Sequence, residues 1–434
     1  MKPKGLLIAV VLLAVLGGLT WWSNKSQADK AKTPADASLK LLSIPDDQFQ
    51  EIKIRKVTDE VLDLKRENGK WRMTAPQSLP ADQDAAGSMV SALANLNADK
   101  VVEDKAVDLK QYGLDRPTLD VQIVRKDGKT DHLLIGDDTL NGSGAYAKLA
   151  NDAKVVTIGS FTKTSLDKRP DDLRDKRMLT FDSDKLSRVE LTAKGTAIEF
   201  GKNGQNEWQI VRPRPLRADG SAVDGLVSKL KDAKMDLSEA DAAKKFAEAG
   251  KVATVTVTDA GGTQTLEVRR DKDKNVFAKS SAVEGLYKVN GDLADALDKS
   301  LDDFRNKKLF DFGFSDPGKV EIQGKVYTKA GDKWTLNGKN LDNLSVQTLI
   351  DKLRDLAATK FAEKGGGEPV VVASVVSNGG KRNEKVTISK QGTQYFAQRD
   401  GEPSIYELDG KVVDDLQKAA ADVKEAAPEL PKKK

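Results

Sequence analysis

The chain reads as an α+β protein: an N-terminal transmembrane helix followed by three tandem, similar modules of antiparallel sheet plus packed helix. Three observations predict this. Three segments each set a Trp after a polar turn, as GKW ending at Trp71, NEW ending at Trp208 and DKW ending at Trp334. Alternating apolar residues around Gly-containing turns follow each one, the strongest short-range signal of a β-hairpin. An uncharged apolar run at residues 5–22 precedes them all.

Lys2 and Lys4 come before that run. Eighteen helical residues rise about 27 Å, close to the ~30 Å hydrocarbon core of a bilayer. Trp21 and Trp22 fall where an interfacial aromatic belt sits. The two lysines favour a cytoplasmic N-terminus, diluted by Lys25, Lys30 and Lys32, so the modules are expected outside the cytoplasm. The rival reading is a signal peptide cleaved after Ser26-Gln27-Ala28, although that site lies far from the apolar run. With no Cys there is no lipid-attachment site, and the composition fits an oxidising compartment. Residues 23–40 read as a flexible polar linker, and 427–434, ending in three lysines, as a disordered basic tail.

The modules are expected over 41–180, 181–310 and 311–426. Their Trp residues are 137 and then 126 positions apart. That is far longer than a solenoid unit and suits separately cored domains of ~100–150 residues. Helices are expected at 85–96, 223–233 and 346–358. In the last, Val346, Leu349, Ile350, Leu353 and Leu356 mark one buried face. KFAE follows at Lys245-Phe246-Ala247-Glu248 and again at Lys360-Phe361-Ala362-Glu363, with Tyr112-Gly113-Leu114 in the same place in the first copy.

A hairpin comes next in each copy. Leu119, Val121 and Ile123 turn at Asp127-Gly128 and return through His132, Leu134 and Ile135. Val255 and Val257 turn at Gly261-Gly262 to Leu266 and Val268. Val375 and Val376 turn at Asn378-Gly379-Gly380 to Val386 and Ile388. A closing strand pair aligns Tyr146-Ala147-Lys148, Phe277-Ala278-Lys279 and Phe396-Ala397-Gln398 with 155–158, 286–289 and 405–408, before a short helix such as 293–297. The joints match too: Leu173-Arg174-Asp175-Lys176-Arg177 and Phe304-Arg305-Asn306-Lys307-Lys308 each precede a new strand. Each Trp is expected to fill its own module's core, the rival being an exposed Trp that stacks on a ligand.

Hydrophobic residues make up 38% of the chain and charged residues 32%, with Lys+Arg 71 against Asp+Glu 67. The signs are interleaved, as in DKDK, which describes a mixed surface and excludes a nucleic-acid stripe. Aromatics at 5% also argue against single-strand stacking platforms.

No residue stands out as catalytic, and no cofactor or metal site is expected. His132 is the only histidine, and acid–base or metal chemistry needs partners that no Cys or second His supplies. Gly128-Lys129-Thr130 imitates the end of a phosphate loop, but Ile123 occupies the required upstream Gly position. Gly142-Ser143-Gly144 lacks a third Gly and reads as a loop. Asp271-Lys272-Asp273-Lys274-Asn275 imitates a calcium loop, with Val276 and Ala282 where Gly and Glu are needed. Carboxylates abound, and no pair is singled out as a hydrolase dyad. Arg212, Arg214 and Arg217, interleaved with Pro213 and Pro215, form the most concentrated basic segment. They are the candidate contact for a ligand or partner, against a plain Pro-stiffened connection.

Trp71, Pro76, Ala81-Asp82, Tyr112-Gly113-Leu114-Asp115-Arg116-Pro117, Ile135-Gly136, Tyr146-Ala147 and Leu173-Arg174-Asp175 together resemble the bacterial domain of unknown function 4340, best over residues 60 to 235. The second and third copies lack YGLDRP. The motif residues look structural: Gly113 permits a tight bend, and Pro117 starts an edge strand. The resemblance carries no catalytic residues. It implies an anchored envelope protein of the bacterial inner membrane, often encoded beside gliding-motility-type ABC transporters. The expected function is therefore a non-enzymatic accessory or scaffold subunit that touches ABC-type transporter subunits. A binding module for an envelope glycan or lipid is the alternative, and a carboxylate-dependent hydrolase is the third.

Overall fold

The computed structural model describes residues 39–313 and 317–427. They form two compact units, one ending at Lys176 and one beginning at Arg177. The architecture is mixed α and β, dominated by antiparallel sheets.

In the first unit, Phe49–Lys56, Val61–Glu67, Lys70–Ala75 and Leu79–Pro80 run as a meander. The helix Gln83–Ala94 follows, and a second meander runs through Leu119–Arg125, Thr130–Asp138, Gly144–Leu149 and Val155–Gly159. The leading strands of the two meanders, Phe49–Lys56 and Leu119–Arg125, pair side by side at the centre. Lys100–Glu103 adds an outer strand beside Val155–Gly159. Period-two alternation sends Ile52, Ile54, Leu62, Leu64, Met73, Val121, Ile123, Leu133 and Ile135 to one face, where all are buried. Met89, Val90 and Leu93 of the helix cover that face.

The second unit contains two sheets with the same strand order. One has Arg188–Ala193 beside Gly250–Asp259 at its centre, and the other Lys319–Ile322 beside Glu368–Ser377. Their helices are Gly220–Lys231 and Asn343–Arg354. Each sheet buries its own hydrophobic core. A second helix joins the first on the covered face of each sheet: Ser160–Leu166, Gly291–Leu297 and Gly410–Ala421.

The long helices begin two to three residues before the expected positions. Asp82, Asp219 and Asp342 are the reason. Each side chain accepts from backbone N–H groups of the first turn, so the cap, not the first apolar residue, sets the start.

The uncovered faces hold paired charge. Lys53 meets Glu51 at 2.9 Å, Arg55 meets Asp63 at 2.5 Å, and Arg188 reaches both Glu190 and Glu199 at 2.9 Å. This is where the interleaved charge of the sequence goes.

Three expectations need correction or placement. The two KFAE segments do not occupy equivalent positions: Lys245 to Glu248 lies in the helix Ala242–Glu248, whereas Lys360–Ala362 is an edge strand. The reason is where each meets the sheet. Lys360–Ala362 lies close after its helix and pairs with Ile405–Leu408, while in the second sheet Asp236 bridges Lys288 at that edge and KFAE comes later. Tyr112 and Phe246 are the true counterparts: Tyr112 packs on Tyr146, and Phe246 clusters with Phe277. Second, the strand after Pro117 is not an edge. Leu119–Arg125 lies between two neighbours, and Pro117 precedes the ladder, where its missing N–H costs nothing. Third, the apolar run 5–22, Ala28 and most of the linker lie outside the described residues. The linker's last two positions, Leu39–Lys40, pair with Asn97–Ala98. No helix among the described residues is long and apolar enough to cross a membrane.

Candidate functional site

Trp71 sits opposite Arg66 in its hairpin, and the Arg66 guanidinium lies 5.5 Å from the indole centroid. Arg66 also donates from Nη1 to the Asp46 carbonyl at 3.1 Å. Gln83, at the start of the helix, brackets the Trp71 backbone. Its Oε1 accepts from the Trp71 N–H at 2.8 Å, and its Nε2 donates to the Trp71 carbonyl at 2.9 Å. Between strand and helix lies a groove of about 580 Å³ lined by Asp46, Arg66, Trp71, Gln83, Gly87 and Phe161.

The second sheet repeats the arrangement. The Lys202 ammonium lies 4.9 Å from the Trp208 ring, and the indole Nε1 donates to Asp224 Oδ1 at 2.7 Å. Grooves of about 440 and 330 Å³ flank this pair, the first lined by Ser183, Lys202 and Lys231, the second by Glu207, Arg217 and Asp311. In the third sheet Asn343 plays the bracing part of Gln83, donating to the Asp332 carbonyl at 3.2 Å. Trp71, Trp208 and Trp334 are 5%, 8% and 5% exposed, so all three fill cores as expected.

The basic segment does not act as one patch. Arg212 ends a strand and pairs with Glu199 at 2.9 Å, and Arg214 is exposed. Arg217 turns inward to the joint between the second and third sheets. It donates from Nη2 to Asp311 Oδ2 at 2.5 Å and from Nη1 to the Lys308 carbonyl at 2.8 Å and the Tyr406 hydroxyl at 3.4 Å. Glu384 accepts from the Asp311 N–H at 3.0 Å and from Arg399 at 2.9 Å, and Arg399 also reaches Glu402 at 2.8 Å. Burial alone would lower the Arg399 pKa, but the Glu402 and Glu384 carboxylates outweigh it and hold it raised. Burial first, then the Glu402 charge, pushes the Tyr406 hydroxyl up to about 12. Arg382 completes the joint, donating to Glu207 at 2.6 Å.

Of the side chains in this network, only Arg217 stands out in the sequence as a candidate contact. Its partners are distant in the chain, but one signal was present: Asp311 stands inside the apolar stretch Leu309-Phe310-Asp311-Phe312. A charge in a core segment needs a partner.

The YGLDRP residues build the fold. Tyr112 donates to Glu103 at 2.9 Å, Gly113 has φ +63°, and Leu114 is buried. His132 lies on the open face with Nε2 2.6 Å from Asp120 Oδ1, and neither is deeply buried. Gly128-Lys129-Thr130 and Asp271 to Asn275 are hairpin turns, and Gly142-Ser143-Gly144 leads into a strand. Among the described residues, no cluster of three His, Cys, Asp or Glu side chains is placed to hold a metal ion. The grooves set cations and carboxylates side by side against buried indoles, a mixed polar lining.

The model of a family described as a domain of unknown function, DUF4340, matches the chain twice, over residues 71–207 and 208–374. Each match starts at a core Trp and runs past the next joint into the following sheet. No curated protein and no solved structure matches the chain. The two matched segments span well over half of the sequence and restart at equivalent residues, and on that ground the chain belongs to the DUF4340 family.

Proposed function

We propose that this is a non-enzymatic, membrane-anchored envelope protein of the bacterial inner membrane. An anchor at 5–22 carries three tandem modules, 41–180, 181–310 and 311–426, on the extracytoplasmic side. The modules act as an accessory or scaffold subunit of an ABC-type transport system through protein–protein contacts. The observation that carries this reading is the inward placement of the shared aromatics: Trp71, Trp208 and Trp334 are core residues. What each sheet offers outward is a polar face of paired charge and not an aromatic stacking platform, and charge laid out on a face sets partner choice and encounter rate more than affinity. The Arg217 network supports it by holding the second and third sheets as one body.

The test is crosslinking of the full-length protein in intact cells, followed by mass spectrometry of the membrane fraction. Recovery of transporter subunits, retained when residues 5–22 are replaced by an unrelated anchor, is the expected result. Recovery of no membrane protein would sink the proposal. The glycan or lipid reading draws on one observation, the 76% exposed Phe161 beside the first groove. It predicts that cell-envelope polymer, and no protein, is captured.

A further inference from the structure

We infer that the groove beside Trp71 docks an acidic peptide segment of a partner protein, whose carboxylate takes the place that Asp224 fills in the second sheet. The inference deepens the protein-contact reading above and rests on it.

The comparison is internal to the chain. The caps Asp82 and Asp219 start equivalent helices, and five residues further on stand Gly87 and Asp224. In the second sheet the Asp224 carboxylate accepts the Trp208 indole N–H at 2.7 Å. In the first there is no side chain at that place, and a Cβ built on Gly87 meets nothing within 4 Å. Trp71 is nevertheless 5% exposed, and Gly87 offers its indole N–H no acceptor. The Nε of Arg66, in the same groove, is also buried without a hydrogen-bond partner. One buried, unpaired guanidinium nitrogen and an indole that lacks the carboxylate its counterpart has therefore line one space of about 580 Å³. A buried polar group left unpaired is costly, and a ligand acceptor removes that cost.

The rim differs in the same sense. Phe161 and Asp292 are both second in their short helices. Asp292 binds Lys229 at 2.6 Å and closes the second sheet's helix pair, whereas Phe161 is 76% exposed at the edge of the first groove. At both positions where the second sheet satisfies itself, the first presents an opening: a missing carboxylate and an uncovered ring. A carboxylate beside an apolar side chain matches both. Asp46 and Asp84 also line the groove and oppose a dense polyanion, which favours a single Asp or Glu in an apolar peptide.

The test uses full-length protein in detergent, labelled with ¹⁵N at Trp and titrated with a capped Phe-Asp-Phe tripeptide or its Phe-Asn-Phe counterpart. The Trp71 indole resonance is identified as the one that moves in Gly87→Asp. The expected result is that the Asp peptide shifts this resonance and the Asn peptide binds roughly tenfold more weakly, as for loss of a charge-assisted hydrogen bond. Gly87→Asp, which supplies the carboxylate internally, should abolish the response, while Gly87→Ala keeps it. An unmoved Trp71 resonance, equal binding of the two peptides, or full response in Gly87→Asp overturns the inference. Crosslinking of Gly87→Asp in cells separates the two readings. Transporter subunits lost from this variant alone support both. Subunits captured equally by variant and parent overturn this site and leave the scaffold reading standing. Subunits captured by neither overturn the scaffold reading and, with it, the partner assigned here.

Discussion

Arg217 and Asp311 meet at 2.5 Å, and the same guanidinium donates to the Lys308 carbonyl, so one side chain ties the edge of the second sheet to the segment that opens the third. The backbone repeats the tie: Ala218 bridges Arg305, and the Asp219 N–H donates to the Phe304 carbonyl at 2.8 Å. Arg217→Ala leaves Asp311 partly buried without its cation. We expect a loss of about 2–3 kcal/mol, typical of hydrogen bonds to charged groups in such sites. Urea unfolding should show a lower midpoint and a second transition as the two sheets uncouple. A single unshifted transition would show that the backbone alone makes the joint.

Glu207 and Arg382 close the same joint from its exposed side at 2.6 Å. The Glu207 carboxylate is held below its usual 4.5, first by its bond from Asn203 and then by Arg382. A depressed carboxylate contributes stability above its unfolded pKa and loses it as pH falls through the folded value. Stability should therefore drop as the pH falls below the usual 4.5 and through the lowered folded value, and Arg382→Gln should flatten that drop. Half exposure of Glu207 keeps the effect small and salt-sensitive, so denaturation midpoints compared at low and high salt check it.

The strand pattern was open to reading because period-two alternation and Gly turns are local. Leu119, Val121 and Ile123 announced a hairpin that the structure contains. The three Trp positions were also readable, as repeated short motifs. Helix starts differ from the apolar periodicity because Asp82, Asp219 and Asp342, all visible in the sequence, cap the first turn ahead of the first apolar residue. KFAE shows the limit of local reading: one tetrapeptide is helix at Phe246 and strand at Phe361, decided by which sheet edge is free. Arg217 with Asp311, and Gly87 against Asp224, needed the fold, since neither pairing has a local signature.

Tyr406 and Tyr327 are buried tyrosines with opposite hydrogen-bond situations. Tyr406 donates to Glu402 at 2.8 Å, and its hydroxyl is pushed up to about 12. Between pH 10 and 12 the unfolded chain releases this proton and the folded chain keeps it, so stability falls as pH rises through that window. Tyr406→Phe should remove that slope and cost about 1–2 kcal/mol at neutral pH. Tyr327 is fully buried, and its hydroxyl has no partner among the described residues. Tyr327→Phe keeps the shape and removes the unpaired group, so a gain of about 1 kcal/mol is expected. Thermal unfolding of both variants checks the contrast, and equal losses would contradict it.

Gly113 and Gly136 explain why the YGLDRP motif holds the first sheet together. Gly113 has φ +63°, and a Cβ there would stand 2.5 Å from the Asp137 carboxyl carbon. Gly136 is tighter still, because its Cβ would strike the Tyr112 carbonyl oxygen, which belongs to the backbone and cannot swing away. Gly113→Ala should therefore cost about 1–2 kcal/mol from the left-handed backbone alone, since the Asp137 side chain can rotate aside. Gly136→Ala must move the Tyr112 segment off the strand, and with it the Tyr112–Tyr146 contact and the Tyr112 bond to Glu103. Its loss should be the larger, and hydrogen exchange should report it as opening of residues 100–117 while the central strand pair Phe49–Lys56 and Leu119–Arg125 stays protected. Equal effects of the two substitutions would mean that the close approach at Gly136 relaxes without releasing the motif.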